Sequence, residues 1–458
     1  MKKITLLLAF FVLCFVVFTL LQNDNIYQNT LGKISHNYEC NQSTEERYEV
    51  NKPFIKITND NLVHWDASFY YVIHEDGYVD NISSNNFPTS AFFPLFPFIW
   101  RLINVSTIGI VVVNCLMFII GVLILSSLCK GKSTLHTLLV LCLPLLAVFL
   151  IPYTEATFIL MGALAIYGFV KDKYWLYFIA MTAVALTRNA FSIILPAIFI
   201  AEILFLIKER QVLRSLKRLL FGILPILIGT IIFSIILLMY GNNSIMKFME
   251  VQEVWGNYLS LPDLANINDW SHEGFGINIA TMTAVCLPIA VYLFIALLYQ
   301  CKILRKQSAL FALHSDNKKD YLSVVSLSCC LTSLCIVLFF FHGTLHGLSR
   351  YVLTTPYFIS LFFVFEDKLQ TLTIKKRIII FTILIALSFV VLLSCKYTVI
   401  GFALLGFPLL LIAIGLFVFS DLSQNITYRI ILFIALFANI VWTTYLFNMY
   451  ISNGWIFT

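Results

Sequence analysis

Long apolar runs dominate this chain, and they decide which solvent it folds in. They lie at about 4–21, 107–128, 134–151, 156–170, 174–187, 191–207, 219–240, 276–299, 321–341, 351–365, 378–394, 397–419 and 429–450. A helix rising about 1.5 Å per residue needs roughly 20 apolar residues to cross about 30 Å of hydrocarbon. Composition agrees: 60% of the 458 residues are hydrophobic, 12% are charged, and the mean hydropathy is +0.89. A soluble domain carries about a quarter charged residues. An ordinary soluble enzyme, a disordered chain and a fibrous protein are therefore excluded. The expected fold class is an all-α polytopic membrane protein, a single integral-membrane domain over 1–458 with about 11–13 transmembrane helices. Two or three runs are short for a full span. Such segments are tolerated where they line a cavity instead of facing lipid. No internal repeat or appended soluble domain is visible.

Charge sets the orientation. With a cytoplasmic N-terminus, 21 of the 30 Lys and Arg residues fall in the inner loops, and every inner loop holds at least one, as the positive-inside rule requires. The net charge of +6 then reflects cytoplasmic loops, and no basic run interleaved with aromatics suggests nucleic acid. Lys2 and Lys3 precede the run Ile4 to Leu21, and no small-x-small cleavage site follows, so this run reads as a first membrane helix and not a signal peptide. The 11 cysteines form no CxxC pair and sit mostly in apolar runs. Cys40 could pair with Cys395, although nothing demands it. The loops, without further targeting signals, favour a bacterial plasma membrane over endoplasmic reticulum.

This orientation leaves a first outer loop at 22–106, a second at 241–275, the tetrad Pro152-Tyr153-Thr154-Glu155, the triplet Thr187-Arg188-Asn189, and His342 to Arg350. Nearly all unusual polar residues thus converge on one face. Polar groups converging on an apolar scaffold suggest a site, and ionisable groups at membrane depth suggest function.

The richest stretch runs from His64 to Tyr78. Helical spacing puts Trp65, Phe69, Val72 and Ile73 on one face and His64, Ser68, Tyr71 and Glu75 on another. An interfacial helix is expected near 64–77, stopped by Gly77. Asp66, beside Trp65 at the edge of the apolar face, would lose hydration near lipid, which suits a general base. Glu75 and Asp76 could assist it or face water. In Ala91-Phe92-Phe93-Pro94-Leu95-Phe96-Pro97, two prolines three apart point away from a regular helix and toward a rigid surface wall. Glu155 opens a helix, where a carboxylate suits the dipole or could bind acceptor hydroxyls or orient Arg188. Arg188 and Arg350 read as the only outer arginines flanked by helices on both sides. His342 and His346 are four apart, but Gly343 and Gly347 disfavour the helix that would align them on a metal. No metal site is expected; bonding to a phosphate or sugar suits His346 better. In the second outer loop Trp255, Tyr258, Trp270 and His272 suit sugar stacking or an interface belt.

Trp65-Asp66-Ala67, Ile73 to Tyr78, and Ala91 to Pro97 together resemble the PIG-V-type mannosyltransferase family. Tyr153-Thr154-Glu155 and Thr187-Arg188-Asn189 are similar to its next motifs, in the same order. Gln252 with Trp255-Gly256, and Ser349-Arg350-Tyr351, resemble later ones more weakly. The resemblance implies a GT-C glycosyltransferase bundle. It also implies a polyprenyl-phosphate sugar as co-substrate, no metal cofactor, and a catalytic acid in the first large outer loop.

The chemistry can also be argued from the residues. Nucleotide sugars are cytoplasmic, so an outward site needs a lipid-linked sugar donor drawn from the membrane. That donor departs as a phosphate monoester, and guanidinium groups stabilise such charge. The expectation is therefore an inverting hexosyl transfer onto a glycan or glycolipid acceptor, mannose being the sugar that the resemblance implies. Asp66 is the base, Arg188 and Arg350 bind the donor phosphate, and Glu155, Glu75, Trp65, His346 and Trp255 bind substrate. A transferase moving another sugar onto lipid A, glycan or protein is the first alternative. A polyisoprenoid or sugar transporter is the alternative from another class. The sequence names no partner subunit.

Overall fold

The computed structural model describes residues 2–23, 26, 55–79, 89–129, 131–240, 244–263, 275–303, 309–394 and 405–456, and regular structure among them is entirely helical. Helix α1 (Lys2–Leu21) comes first, followed by the short helices α2 (Asp66–Glu75) and α3 (Leu95–Ile103). Next are α4 (Thr107–Ser126), α5 (Ser133–Leu141), α6 (Glu155–Val170), α7 (Tyr174–Ala185), α8 (Ala190–Glu209) and α9 (Val212–Met239). Beyond α10 (Ser244–Val254), α11 (Phe275–Thr281) continues through a π-helical turn into α12 (Leu287–Gln300). The chain goes on with α13 (Lys318–Phe340), α14 (Leu348–Leu353), α15 (Pro356–Val364), α16 (Glu366–Leu369), α17 (Ile374–Ser394), α18 (Gly406–Val418) and α19 (Ile426–Ile451).

Among the described residues, eight helices are long and apolar enough to cross a membrane: α1, α4, α8, α9, the α11–α12 rod, α13, α17 and α19. Helices α6, α7 and α18 are apolar but shorter. Among the described residues, two of the runs do not form single helices. The run 134–151 ends its helix at Leu141, turns at Pro144 and resumes as a 3₁₀ turn at Leu146–Leu150. The run 351–365 splits between α14 and α15 at Thr354-Thr355, ahead of Pro356.

Both interruptions lie inside protein, where neighbouring side chains replace the lost helical bonds. Asn439 Nδ2 of α19 donates to the carbonyls of Leu141 and Leu143, at 2.7 and 2.9 Å. Trp442 Nε1 donates to the Pro144 carbonyl at 2.8 Å. From α4, Asn114 Nδ2 donates to the carbonyls of Ile151 and Tyr153, at 2.7 and 3.1 Å. Thr355 Oγ1 accepts the Phe358 N–H at 3.2 Å and starts α15. α15 packs against α5, α6 and α13. The two broken segments thus form the middle of the bundle, and their outer ends carry Tyr153, Glu155 and Arg350.

Charges assigned to the cytoplasm pair among themselves. Lys132, His136, Gln370 and Ser420 all reach the Glu366 carboxylate, at 3.0, 2.8, 2.6 and 2.6 Å. Arg377 grips Asp421 through two bonds of 2.8 Å, and Arg218 clasps Glu202 at 3.1 Å. Lys368 pairs with Asp320, and Lys318 with Asp172. Among the described residues no ion pair joins this set to the charges of the outer end.

Burial alone would raise the Glu366 carboxyl, but hydrogen bonds from His136, Ser420 and Lys132 pull it from 4.5 down to about 2. A depressed carboxyl stabilises the fold above its unfolded value, and that contribution is lost as pH falls toward the folded one. Glu366→Gln is therefore expected to lower the unfolding midpoint in detergent at neutral pH. The gap from wild type should close as the medium is acidified from 4.5 toward about 2. A gap independent of pH across that window would show that the charge is not what stabilises.

The first outer loop departs from expectation in two ways. α2 covers Asp66–Glu75 and is followed by Gly77, at φ +83°, in the region a glycine tolerates. Its buried side chains are Ala67, Tyr70, Ile73 and His74, so the inward face is not the one through Trp65, Phe69 and Val72. The amphipathic pattern assumes that lipid takes the apolar face. Here α2 lies instead on α3 and on the short turn Thr89–Ala91, and the Tyr70 ring meets Phe92 and Phe96. Secondly, α3 is a regular helix despite Pro97. The proline sits in the first turn, where its missing N–H would have had no helical acceptor. Arg101 in α3 donates to the carbonyls of His74 and Glu75 and so caps α2. It is a further outer arginine with helices on both sides, not anticipated from sequence. No disulfide bond joins any two of the nine described cysteines. Cys40, Cys395, Trp270 and His272 lie outside the described residues.

Candidate functional site

Four charged side chains from four separate segments meet at the outer end. Asp66 opens α2, Glu155 opens α6, Arg188 precedes α8, and Arg350 lies in α14. Arg350 Nη1 donates to Asp66 Oδ2 at 2.7 Å, and its Nε donates to Glu155 Oε1. Arg188 Nη1 lies 3.3 Å from the same Glu155 oxygen. The order is Asp66–Arg350–Glu155–Arg188, with acid and guanidinium alternating. Alternation leaves the cluster formally neutral, which lowers the cost of taking four charges out of water.

Exposure falls from Asp66 to Glu155 and rises again at Arg188. The Glu155 side chain is wholly enclosed, Arg350 is 10% exposed, Arg188 14% and Asp66 24%. The cluster therefore opens at Asp66 and closes at Glu155. The expectation drawn from its neighbour Trp65 concerns hydration alone; Asp66 also has a charged partner in Arg350. Its carboxylate is half of an ion pair and faces the opening. Glu155 Oε2 is buried and has no hydrogen-bond partner among the described residues. Arg188 Nη1 is likewise buried with no hydrogen-bond acceptor among them, its contact to Glu155 being an ion pair of poor hydrogen-bond geometry. Both groups retain capacity for a polar ligand.

Aromatic rings support the guanidinium groups. Arg350 lies 4.9 Å from the centre of the Tyr153 ring, and Arg188 lies 5.7 and 5.4 Å from Phe158 and Tyr351. Ring faces favour cations and hold them flat. Tyr153 also fixes the start of α2, because its hydroxyl accepts the Asp66 backbone N–H at 3.2 Å. Asn278 Oδ1 of α11 accepts the Ser349 N–H at 2.8 Å and so positions α14. Neither role is legible in the sequence. Tyr153 stands in a conspicuous polar tetrad, but Asn278 carries no signal within its apolar run.

Trp65 adjoins Asp66 in an unusual backbone, with φ +52° and ψ −128°. Such a conformation costs about 1–3 kcal/mol in a non-glycine residue and persists only where surroundings enforce it. His346 borders the cluster. Burial and then Arg350 pull its imidazole below the ordinary range, while Asp66 opposes this. His342 is elsewhere engaged, its nitrogens lying 2.6 Å from Ser260 Oγ and 2.8 Å from the Gly256 carbonyl. The two imidazoles therefore share no point, and among the described residues no three His, Cys, Asp or Glu side chains are arranged around a metal.

Two expected residues are not brought to the cluster. Glu75 is at the far end of α2, about 13 Å along the axis from Asp66, and pairs with His74 at 3.0 Å. Trp255 packs edge-on against Phe69 and Phe92 at 5.9 and 6.0 Å. It joins the aromatic wall behind α2.

Fold and site together define a multi-pass, all-helical membrane protein with a charged cluster buried at one end of its bundle. Compared with protein families, curated proteins and solved structures, the chain matches none.

Proposed function

We propose that the protein is a GT-C-type glycosyltransferase that moves a hexose, mannose being the favoured sugar, from a polyprenyl-phosphate donor to a glycan or glycolipid acceptor. The observation that carries the reading is the alternating cluster Asp66–Arg350–Glu155–Arg188, open at the Asp66 carboxylate and closed at Glu155. Asp66 takes the proton of an acceptor hydroxyl. The oxygen attacks the anomeric carbon, the carbon–oxygen bond to phosphate breaks, and the configuration inverts. The departing polyprenyl phosphate gains a negative charge, which Arg188 and Arg350 stabilise. Glu155 holds both guanidinium groups in place. The membrane supplies the donor laterally; a bacterial plasma membrane is the favoured setting.

The test uses purified protein in proteoliposomes with a radiolabelled polyisoprenyl-phosphate mannose. Label appearing on an acceptor supports the reading. Label that crosses the bilayer with no new glycosidic bond replaces it with transport. Arg188→Ala is expected to weaken donor binding by roughly tenfold or more, the worth of a lost charge-assisted hydrogen bond. Unchanged donor affinity with a lowered unfolding midpoint would make Arg188 a purely structural arginine.

A further inference from the structure

The C-terminal segment after α19 brings Trp455 back over the outer end. Its ring lies edge-to-face with Trp65 at 5.2 Å and parallel to His346 at 6.0 Å, with an interplanar angle of 7°. Trp65 immediately precedes Asp66, and His346 is four residues before Arg350. The three rings therefore border the Asp66–Arg350 pair from both of its strands of chain.

We propose that Trp65, Trp455 and His346 form a platform that binds a pyranose ring beside Asp66. Two independent observations point to a ligand. Trp65 is 39% exposed although its backbone is strained. A large ring held outward at a conformational cost is not explained by burial, and such outliers collect at binding sites. The second is the juxtaposition itself. A pyranose presents C–H bonds on its faces and hydroxyls around its rim. Flat aromatic surfaces suit the faces, and an adjacent carboxylate and guanidinium suit the rim. The platform lies at the Asp66 end of the cluster, farthest along it from Arg188. Beside the general base, it belongs to the nucleophile's side of the reaction. On the transferase reading above, the bound ring is part of the acceptor, so acceptors that already carry a sugar are preferred over simple alcohols.

The experiment is saturation-transfer NMR on the full chain in nanodiscs, with methyl α-D-mannopyranoside as probe. Wild type should pass saturation to the probe's ring protons. Trp455→Ala should reduce that signal roughly three- to tenfold, and Trp455→Phe should restore most of it. An equal signal in wild type and Trp455→Ala overturns the platform. Should Trp455→Ala fail to fold, wild type carrying 5-fluorotryptophan decides the matter by ¹⁹F NMR. The Trp65 and Trp455 resonances, assigned through Phe replacements, should shift on adding the probe; unshifted resonances overturn the proposal. Transfer is measured separately. Sugar binding through Trp455 without any transfer would retain the platform and remove the transferase. Transfer with an unaltered acceptor KM in Trp455→Ala would do the reverse.

Discussion

Asp66→Asn is expected to lower single-turnover transfer by about 10²- to 10⁴-fold, the usual worth of a positioned general base. The replacement keeps the shape of the side chain and removes its ability to take a proton. Arg350 would retain its bond to Glu155, and the backbone N–H at position 66 would retain Tyr153. Donor affinity should therefore stay close to wild type, and the unfolding midpoint should fall less than in Glu155→Gln, because Asp66 is the most exposed member of the cluster. The informative measurement is rapid-quench transfer from a polyisoprenyl-phosphate sugar, with donor affinity determined beside it. Turnover near the wild-type rate would remove Asp66 from the chemistry. A parallel collapse of donor affinity would instead make it an organiser of Arg350.

Glu155→Gln is expected to be the most destabilising single replacement in the cluster, by about 3–5 kcal/mol. Glu155 is fully enclosed and is the one carboxylate shared by Arg188 and Arg350. Removing its charge leaves two guanidinium groups, 14% and 10% exposed, with Asp66 as the remaining acid of the cluster. An uncompensated buried cation is costly because water cannot reach it. Thermal unfolding in detergent, followed by intrinsic fluorescence, measures the loss. A midpoint equal to that of wild type would mean that the arginines find other partners, and the account of Glu155 as their common anchor would fail. Donor binding should fall as well, since both proposed phosphate ligands lose their positioning.

These two replacements separate what the cluster does from what holds it together. Asp66 is the most exposed of its charges and sits on a short helix outside the bundle. Glu155 is the least exposed and begins a helix packed on α4 and α7. On the proposed reading the same negative charge does chemistry at one end and architecture at the other, because solvent access differs.

Much of this is legible in residue order. Asp66, Glu155, Arg188 and Arg350 each stand out in the sequence, and they do meet. Apolar runs and loop charge are local signals, and both survive into the fold because lipid imposes one rule on every span. The prolines at 144 and 356 mark the two interruptions, yet the runs around them read as spans, since hydropathy cannot tell lipid from protein interior. Nearness to Asp66 suggests Glu75 for the site, and an aromatic face among polar neighbours suggests Trp255, but α2 carries Glu75 away at helical rise and Trp255 turns into the aromatic wall. The inward face of α2 differs from the expected one for a related reason: its neighbours are aromatic rings, not lipid.

Sequence by itself determined that this is a membrane bundle and which polar loops share an end, because segment hydropathy and charge bias act residue by residue. Tertiary structure alone decided that Arg350 bonds to Asp66 from 284 positions away, that Glu155 stands between two guanidinium groups, and that Trp455 returns to the site. Those contacts depend on how broken segments pack at the centre of the bundle, where long-range complementarity chooses the partner and no local pattern records the choice.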